Sequence, residues 1–285
     1  MSLLNFSSFI PNNDLLKKYV AYFYFSRNDD PQGERKYSFF PHVNTTLSFY
    51  TRARLTETDD FMHITHQPHD PFLKILTRQH RIKTVVQTGP VDKIGIVFLP
   101  LGLNHFIRES YGSIAGREVQ LFQPAADSWD ALLSSCYSIT DQERRLELLE
   151  NFLLSQFHPL DLHPLYRIMH ELANVVDQAS IQEIAERNHM SPRKLNRDFQ
   201  KELAITPETF RMISRFRYAI DQKTQVKAKT KLTQLTHDSG YFDQSYMIRS
   251  FRKLTGRTPS AFFKECELLG DYGTFWKIHN TKNVV

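Results

Sequence analysis

The sequence predicts an α+β protein of two domains, a β-barrel or sandwich followed by an all-helical domain. Short runs of Phe, Tyr, Val, Ile and Thr, separated by turn-forming residues, fill the first 125 positions. From Asp141 onward, apolar residues recur at spacings of three and four, which is the helical period. In the last third, one block recurs about 52 positions later, which indicates a repeated helical unit.

The N-terminal half contains seven segments with the composition of β-strands. Seven or so short strands favour a barrel or a sandwich. A helical turn is expected just before the first of them, at residues 14–18. The predicted strands lie at residues 19–26, 36–40, 45–52, 60–66, 72–77, 80–87 and 93–99.

Two amphipathic helices are predicted next, around residues 142–154 and 165–176. His-Pro pairs separate them, because proline disfavours helix at the residue before it. The apolar stripe of the first helix suits packing on its own barrel or pairing with a second copy in a homodimer. The predicted domains are a barrel domain at 1–160, a helical domain at 161–268 and a C-terminal tail at 269–285.

The charge of the chain is uneven. Residues 178–269 hold 17 Lys and Arg against 10 Asp and Glu, whereas residues 1–177 hold 17 against 20. A basic domain is typical of polyanion binding. No run of about 18 apolar residues and no signal-like start occurs, so we expect a cytoplasmic protein without a membrane span. Cys136 and Cys266 are expected to be reduced, buried thiols.

The first copy of the repeat has the pattern of two short helices joined by a tight turn. Ser180 and Glu183 form a capping-box signature for the first helix. Ser191 and Pro192 begin the second helix, whose Leu195 faces inward. In a helix-turn-helix the second helix enters the major groove, where Arg pairs with guanine and Asn or Gln with adenine. The outward candidates for DNA contact are Ser191, Arg193, Asn196, Arg197 and Gln200.

The second copy repeats this arrangement around a turn at residues 239–241. Asp243 caps its second helix, and Met247 faces inward. Two such helices on one rigid domain can enter successive major-groove faces about 34 Å apart. A plain solvated helix face is the alternative for either stripe alone, and the duplication weakens that alternative. The outward candidates in this copy are Gln244, Ser245, Ile248, Arg249 and Arg252.

Short motifs of the repeat are those of a known family. They include M-S-P-R-K-L at 190–195, G-Y-F-D-Q-S-Y at 240–246, and T-P at 206–207 and 258–259. Through them the chain resembles the DNA-binding domain of AraC/XylS-type transcription regulators. The resemblance implies seven helices in two homeodomain-like helix-turn-helix lobes, joined by a long helix at 207–222. The residues at the family's base-contacting positions are Arg193, Asn196, Arg197, Gln244, Ser245, Ile248 and Arg249.

Three positions depart from the family pattern. His189 stands where the first turn usually has glycine, so left-handed backbone is expected there. Thr236 replaces a usual alanine and adds a hydroxyl to a packed interface. Ile248 cannot hydrogen-bond a base, although it can contact a thymine methyl.

The resemblance also implies a cupin-like β-barrel in the N-terminal half, which binds a small organic effector and dimerises. Barrel mouths are plausible pockets. The candidate lining residues are Tyr24, His42, Ser48 and Tyr50, for which ordinary structural roles are the alternative.

The sequence contains no motif of an enzyme active site. His63, His66 and His69 resemble a metal site only weakly, because a spacing of three on a strand turns neighbouring side chains to opposite faces. We therefore expect no metal, no cofactor and no catalytic residue.

The function predicted is that of a sequence-specific, DNA-binding regulator of transcription controlled by a small-molecule effector. Its expected partners are double-stranded promoter DNA, the effector, a second copy of the chain and RNA polymerase. One alternative is a cupin-type binding protein or enzyme whose helical domain does not read DNA sequence. A sequence-tolerant architectural DNA binder is another.

Overall fold

A computed structural model of the chain describes residues 5–70, 72–78, 80–124, 128–225, 232–265 and 276–278. Its N-terminal part is rich in strands, which confirms the predicted fold class for this half. The strands are β1 (Asn5–Phe9), β2 (Val20–Asn28), β3 (Glu34–Phe39), β4 (Thr45–Tyr50), β5 (Ala53–Glu57), β6 (Phe61–His66), β7 (Leu73–Arg78), β8 (Lys83–Thr88), β9 (Val91–Phe98), β10 (Val119–Leu121) and β11 (Trp276–Ile278).

These strands form two sheets, ordered β1-β2-β9-β4-β7-β10 and β11-β3-β8-β6-β5. Neighbouring strands are antiparallel except for the parallel pair β6 and β8. One core lies between the sheets, and a second lies on the outer face of the six-stranded sheet. Strand β9 has both faces buried: Val97 belongs to the core between the sheets, and Ile94 and Ile96 to the outer core. Apolar residues therefore run along it without strict alternation.

All seven predicted strands are present, with shifts at their ends. The sequence interpretation missed β1, β5, β10 and β11. Strand β5 reads Ala-Arg-Leu-Thr-Glu and lies at the edge of its sheet, so it lacks an apolar face. Strands β10 and β11 are three residues long and pair with strands far away in the chain, whereas β1 pairs with the next strand, β2. The predicted helical turn appears as a 3-10 helix at Leu16–Lys18.

The helices follow the strands in the chain. Those in the described residues are α1 (Tyr111–Ile114), α2 (Ser128–Tyr137), α3 (Gln142–Gln156), α4 (His163–Ala173), α5 (Ile181–Arg187), α6 (Pro192–Leu203), α7 (Pro207–Gln225), α8 (Leu232–Asp238), α9 (Gln244–Thr255) and α10 (Pro259–Glu265). The last seven, α4 to α10, form the helical domain within the described residues, the number that the family resemblance implies.

Helix α3 packs on its own barrel. Leu146, Leu149 and Leu153 are at most 5% exposed and join Trp129 in the core outside the six-stranded sheet. This apolar stripe is thereby used within the chain, the first of the two packing modes that the sequence left open. Cys136 lies in the same core as a free, buried thiol, and burial raises its pKa to about 11.

The helical domain contains two cores. One is formed by α4, α5 and α6, and the other by α8, α9 and α10. Helix α7 contributes Phe210 to the first core and Ile213, Phe216 and Ile220 to the second, so it bridges the two lobes. It extends three residues beyond the predicted helix at 207–222.

The barrel and the helical domain share contacts. Phe40, directly after β3, stacks edge-on against Phe262 of α10 with ring centres 5.0 Å apart. The Arg217 guanidinium of α7 donates to the carbonyl oxygens of Pro41 at 2.5 Å and Phe40 at 3.2 Å.

Most of the predicted tail at 269–285, together with Cys266, lies outside the described residues. Within the tail, β11 pairs with β3 and extends the smaller sheet. No described helix is both long and apolar enough to cross a membrane.

Candidate nucleic-acid interface

The first lobe begins with the predicted capping box. The Ser180 hydroxyl accepts from the Glu183 backbone N–H at 3.1 Å, and the Glu183 carboxylate accepts from the Ser180 N–H at 2.6 Å. Helix α6 begins in the same way, since Ser191 Oγ accepts from the Lys194 N–H at 3.2 Å. Ser191 is thus a helix cap in this structure, and its predicted DNA contact has to share the same hydroxyl.

Helix α6 has one buried and one exposed face. Leu195 and Phe199 are 0% exposed, so the helix is held firmly in its lobe. The Arg197 side chain is 73% exposed, and its Nε lies 3.7 Å from Asp198 Oδ1. Asn196 Nδ2 donates to the Pro192 carbonyl at 2.9 Å. The exposed residues of the predicted stripe are Arg193, Asn196, Arg197 and Gln200.

Helix α9 presents the corresponding face of the second lobe. Asp243 Oδ1 caps it by accepting from the Tyr246 N–H at 2.6 Å. Met247 and Phe251 are 0% exposed. The Arg249 guanidinium lies over the Tyr246 ring, 6.0 Å from its centre, which holds the exposed cation at the surface. Gln244, Ser245, Arg249 and Arg252 are exposed, and Ile248 is half-buried.

The turns of the two lobes match bond for bond. In the first turn the N–H of Met190 donates to Ala185 at 2.9 Å; in the second, that of Tyr241 donates to Thr236 at 3.1 Å. His189 has the left-handed backbone expected of it, with φ +53°. The Thr236 hydroxyl donates to the Leu232 carbonyl at 2.8 Å, so its burial is satisfied.

A small polar cluster fixes the two lobes relative to each other. Gln178, just before α5, donates to the carbonyl of Gly240 at 3.3 Å and accepts from Arg215 of α7 at 3.4 Å. Arg211 and Arg215 are at most 7% exposed. Burial, followed by the neighbouring Arg215, lowers the pKa of Arg211. The two exposed stripes therefore sit on one shared frame.

The barrel contacts α6 and α9, the two helices that carry the exposed stripes and are here called the reading helices, near their C-terminal ends. The carbonyl of Ala204, directly after α6, accepts from the Arg78 guanidinium at 2.5 Å, and that of Glu202, in the last turn of α6, accepts from Asn104 at 3.0 Å. In α9, the carbonyl of Leu254 accepts from the Ile82 N–H at 2.9 Å. Sequence reasoning missed these contacts, because no local pattern links residues so far apart. They leave the stripes exposed.

Three of the four effector candidates lie together inside the barrel. Tyr24 and Ser48 hydrogen-bond at 3.1 Å, and Tyr24 and Tyr50 are each 1% exposed. Their rings lie 4.9 and 5.3 Å from the ammonium of Lys93, a buried residue that the sequence did not single out. Burial lowers the pKa of Lys93 to about 7. The barrel interior around these side chains is packed. Contact of Tyr24, Ser48 and Tyr50 with an effector stays a prediction.

His42, the fourth candidate, lies apart from the other three. It follows Phe40 and Pro41 in the loop that Arg217 contacts, at the junction with the helical domain. Its Nδ1 accepts from the Asn44 N–H at 2.9 Å. Burial, and then the Arg217 charge, lower the pKa of His42 well below its usual value. Its geometry suits a contact between domains.

Two of the three histidines with a weak metal-site pattern, His63 and His66, lie on β6, and His69 follows that strand. His63 pairs with Thr56 and His66 with Ala53 across the edge of the smaller sheet. Among the described residues, no group of three or more His, Cys, Asp or Glu side chains is arranged to hold a metal ion.

Comparison with known proteins identifies two domains. A family described as a helix-turn-helix domain matches residues 167–265, and a domain of unknown function (DUF6597) matches residues 8–120. No curated protein matches the sequence.

Solved structures of ToxT from Vibrio cholerae resemble the chain. A 1.65 Å structure shows 12% identity over 91% of this chain and 98% of ToxT, with a TM-score of 0.45. ToxT with a bound unsaturated fatty acid shows 12% identity over 84% of this chain and 94% of ToxT, with a TM-score of 0.44.

Proposed function

We propose that this chain, whose residues 167–265 are a helix-turn-helix domain of the AraC type, regulates transcription by reading promoter DNA with both lobes. The observation that supports the proposal most is the pair of exposed polar stripes. Each stripe lies on a capped helix with a buried opposite face, and both helices are held by one frame. A single solvated helix would not require this duplication.

Binding begins with electrostatic attraction. The helical region carries an excess of Lys and Arg, whereas residues 1–177 carry an excess of Asp and Glu. Contacts to phosphates supply affinity without sequence preference and weaken as salt rises. This step brings the reading helices to the groove and sets their register.

Base readout follows from the side chains of the two stripes. Arg197 and Arg249 are exposed and suit the two acceptors of a guanine. Asn196 and Gln244 suit adenine, and Ile248 suits a thymine methyl. The first lobe thus presents only polar groups, whereas the second combines polar groups with one apolar contact.

Control by the N-terminal domain is supported by its contacts with both reading helices. A change in the barrel can reach α6 through Arg78 and Asn104, and α9 through Ile82. We propose that a small organic effector acts in this way and that the protein works in the cytoplasm without enzymatic activity. Homodimerisation and contact with RNA polymerase belong to the same proposal.

Selection of bound sequences from a pool of random duplex DNA tests this function. The full-length protein is expected to enrich two short blocks of bases, separated by about one helical turn. Binding without enrichment of any sequence would support the architectural alternative. Failure to retain DNA at low salt would contradict DNA binding altogether.

A further inference from the structure

A polar cleft of about 570 Å³ lies at the end of the barrel away from the helical domain. Strand β7 runs from the cleft to the helical domain. It begins after Phe72, which lines the cleft, and ends at Arg78, which contacts the first lobe. Strand β4 likewise ends at Thr51 in the cleft. Helices α2 and α3 close the other side with residues from Ser134 to Arg145. The cleft has the volume of a small-molecule site.

The charges of the cleft leave one positive charge in excess. Arg145 donates twice to Asp92, at 3.0 and 2.9 Å, and forms a neutral pair with it. Arg27 pairs with Asp29 at 2.7 Å. Arg52 also lines the cleft and is exposed, and it forms no ion pair with any residue that the structure describes. A ligand with one negative charge would balance the cleft.

Two polar atoms of the lining are buried without a hydrogen-bond partner among the described residues. They are Nδ1 of His66 and the hydroxyl oxygen of Tyr137. Unsatisfied buried polar atoms are costly, so their occurrence in the wall of one cleft indicates a missing partner. Burial raises the pKa of Tyr137 well above its usual value, so its hydroxyl stays protonated and can donate.

The backbone of Arg52 is also unusual. Its φ of +53° lies in the left-handed region, which is uncommon for a residue other than glycine. The Arg52 carbonyl accepts from the Gln67 N–H at 2.7 Å, which fixes this conformation beside His66. Strained backbone that the surrounding structure holds in place is found preferentially at functional sites.

We propose that this cleft binds a small organic acid, with its carboxylate paired to Arg52 and its oxygens hydrogen-bonded to His66 and Tyr137. The inference rests on the proposed function only in making this acid the effector. It places the effector outside the packed interior around Tyr24, Tyr50 and Lys93. Inorganic phosphate shares the anionic chemistry, but it would fill a small part of the volume and bring more negative charge than the cleft can balance.

Calorimetric titration of the full chain with hexanoate, benzoate and 4-hydroxybenzoate, each beside its uncharged amide, tests the proposal. At least one acid is expected to bind, with its amide at least about tenfold weaker, because hydrogen bonds to charged groups are the strong ones. Arg52→Met should weaken the binding of that acid by about tenfold or more. Arg52→Lys keeps the charge but loses the planar guanidinium, so it should bind the acid more tightly than Arg52→Met and less tightly than the unchanged protein. Tyr137→Phe, which keeps the ring stacked on Phe72, should weaken it several-fold.

Arg54→Met is the matched control. Arg54 is exposed two residues along the chain and forms an ion pair with Asp70 at 2.9 Å, outside the cleft. This variant should bind the acid like the unchanged protein. Equal binding to Arg52→Met, binding of none of the acids, or equally tight binding of inorganic phosphate would each overturn the proposal.

DNA selection with Arg52→Met separates this inference from the proposed function. The variant should enrich the same DNA sequences as the unchanged protein, because Arg52 lies far from the reading helices. Enriched DNA without acid binding overturns the cleft proposal alone. Acid binding without any enriched DNA overturns the regulator and leaves the cleft as a ligand site.

Discussion

The two reading lobes share one design but differ at its two left-handed positions. After the first helix of each lobe, the first lobe has His189 at φ +53° and the second has Gly240 at φ +70°. After the reading helix, the first has Ala204 at φ +54° and the second has Gly256 at φ +70°. A residue other than glycine costs about 1–2 kcal/mol in this conformation. The first lobe carries that cost twice, and the second avoids it.

Different contacts surround the left-handed positions of the two lobes. The carbonyl of Ala204 accepts from Arg78, so the barrel supports the strained end of the first reading helix. Gly240 instead lies against the first lobe, where an added Cβ would come within 2.3 Å of the Val175 carbonyl oxygen. Both lobes contact the barrel, but only the first lobe has its left-handed helix end held by a barrel side chain, and the second lobe has its left-handed turn packed directly on the first.

Gly240→Ala should break the contact between the lobes and have the largest effect. The left-handed backbone and the overlap with Val175 together should lower the free energy of unfolding by about 3 kcal/mol. Denaturation by urea, followed by circular dichroism, measures the change. Gly256→Ala is the matched control, since it has the same φ but no atom within 4 Å of the added Cβ, and it should cost about 1 kcal/mol. Equal losses in both variants would refute the contact.

Arg78→Met should remove the support of the first lobe. Arg78 is 8% exposed and also donates to the Arg117 carbonyl at 3.1 Å, so the change removes two partly buried hydrogen bonds at once. We expect a loss of about 2 kcal/mol in the free energy of unfolding, measured in the same urea series. Arg81→Met is the control, because its side chain is 71% exposed and 3.6 Å from Glu118, and it should change stability by less than about 0.5 kcal/mol. If Arg78→Met leaves the free energy of unfolding unchanged, the barrel does not support this lobe.

The pH dependence of stability reports on His80, which lies between Arg78 and Ile82, the two barrel residues that contact the reading helices. Burial first, and then the charges of Arg78 and Arg81, lower the pKa of His80 to about 3. The unfolded state, with a pKa near 6.5, therefore binds the proton more readily, and stability is lost as the pH falls from about 6.5 toward 3. The free energy of unfolding should drop by about 2 kcal/mol from this residue between pH 7 and 5. His80→Gln should flatten that part of the pH profile of the free energy of unfolding. If the variant has the same profile as the unchanged protein, His80 is exposed to solvent in the folded state.

Ala204→Gly should make the first lobe resemble the second at this position and should have the smallest effect on stability. Glycine adopts the left-handed conformation without a steric cost, so the free energy of unfolding should rise by up to about 1 kcal/mol. Thermal unfolding of the full chain measures the change. A loss of stability would mean that Ala204 contributes more by packing than its backbone costs.

The sequence predicted the lobes better than it predicted the barrel, for a physical reason. Capping boxes, tight turns and stripes are local patterns, so residues such as Ser180, Asp243 and Arg249 could be assigned from their neighbours in the chain. The strands of the barrel could be recognised by composition, but their order could not, because β3 and β11 meet from opposite ends of the chain. The burial of Lys93 likewise depends on rings brought in by other strands.

The candidate interface was predictable in its residues but not in its support. The outward positions of α6 and α9 follow from helical spacing, and all of them are exposed as predicted except Ile248, which is half-buried. The contact of Arg78 with Ala204 joins residues 126 positions apart and has no signal in either segment. The cleft around Arg52 escaped prediction too, because it combines residues from separate strands and helices.

The most direct test of the account is to measure Arg197→Ala and Arg249→Ala on the selected DNA site and on each of its single-base variants. Each change should cost about 1–3 kcal/mol in affinity and relax base preference in a different block of the site. Arg144→Ala, an exposed arginine on α3, should leave both affinity and preference unchanged. If either stripe variant loses affinity equally for all sequences, or if both relax the same block, the two lobes do not read DNA as separate units.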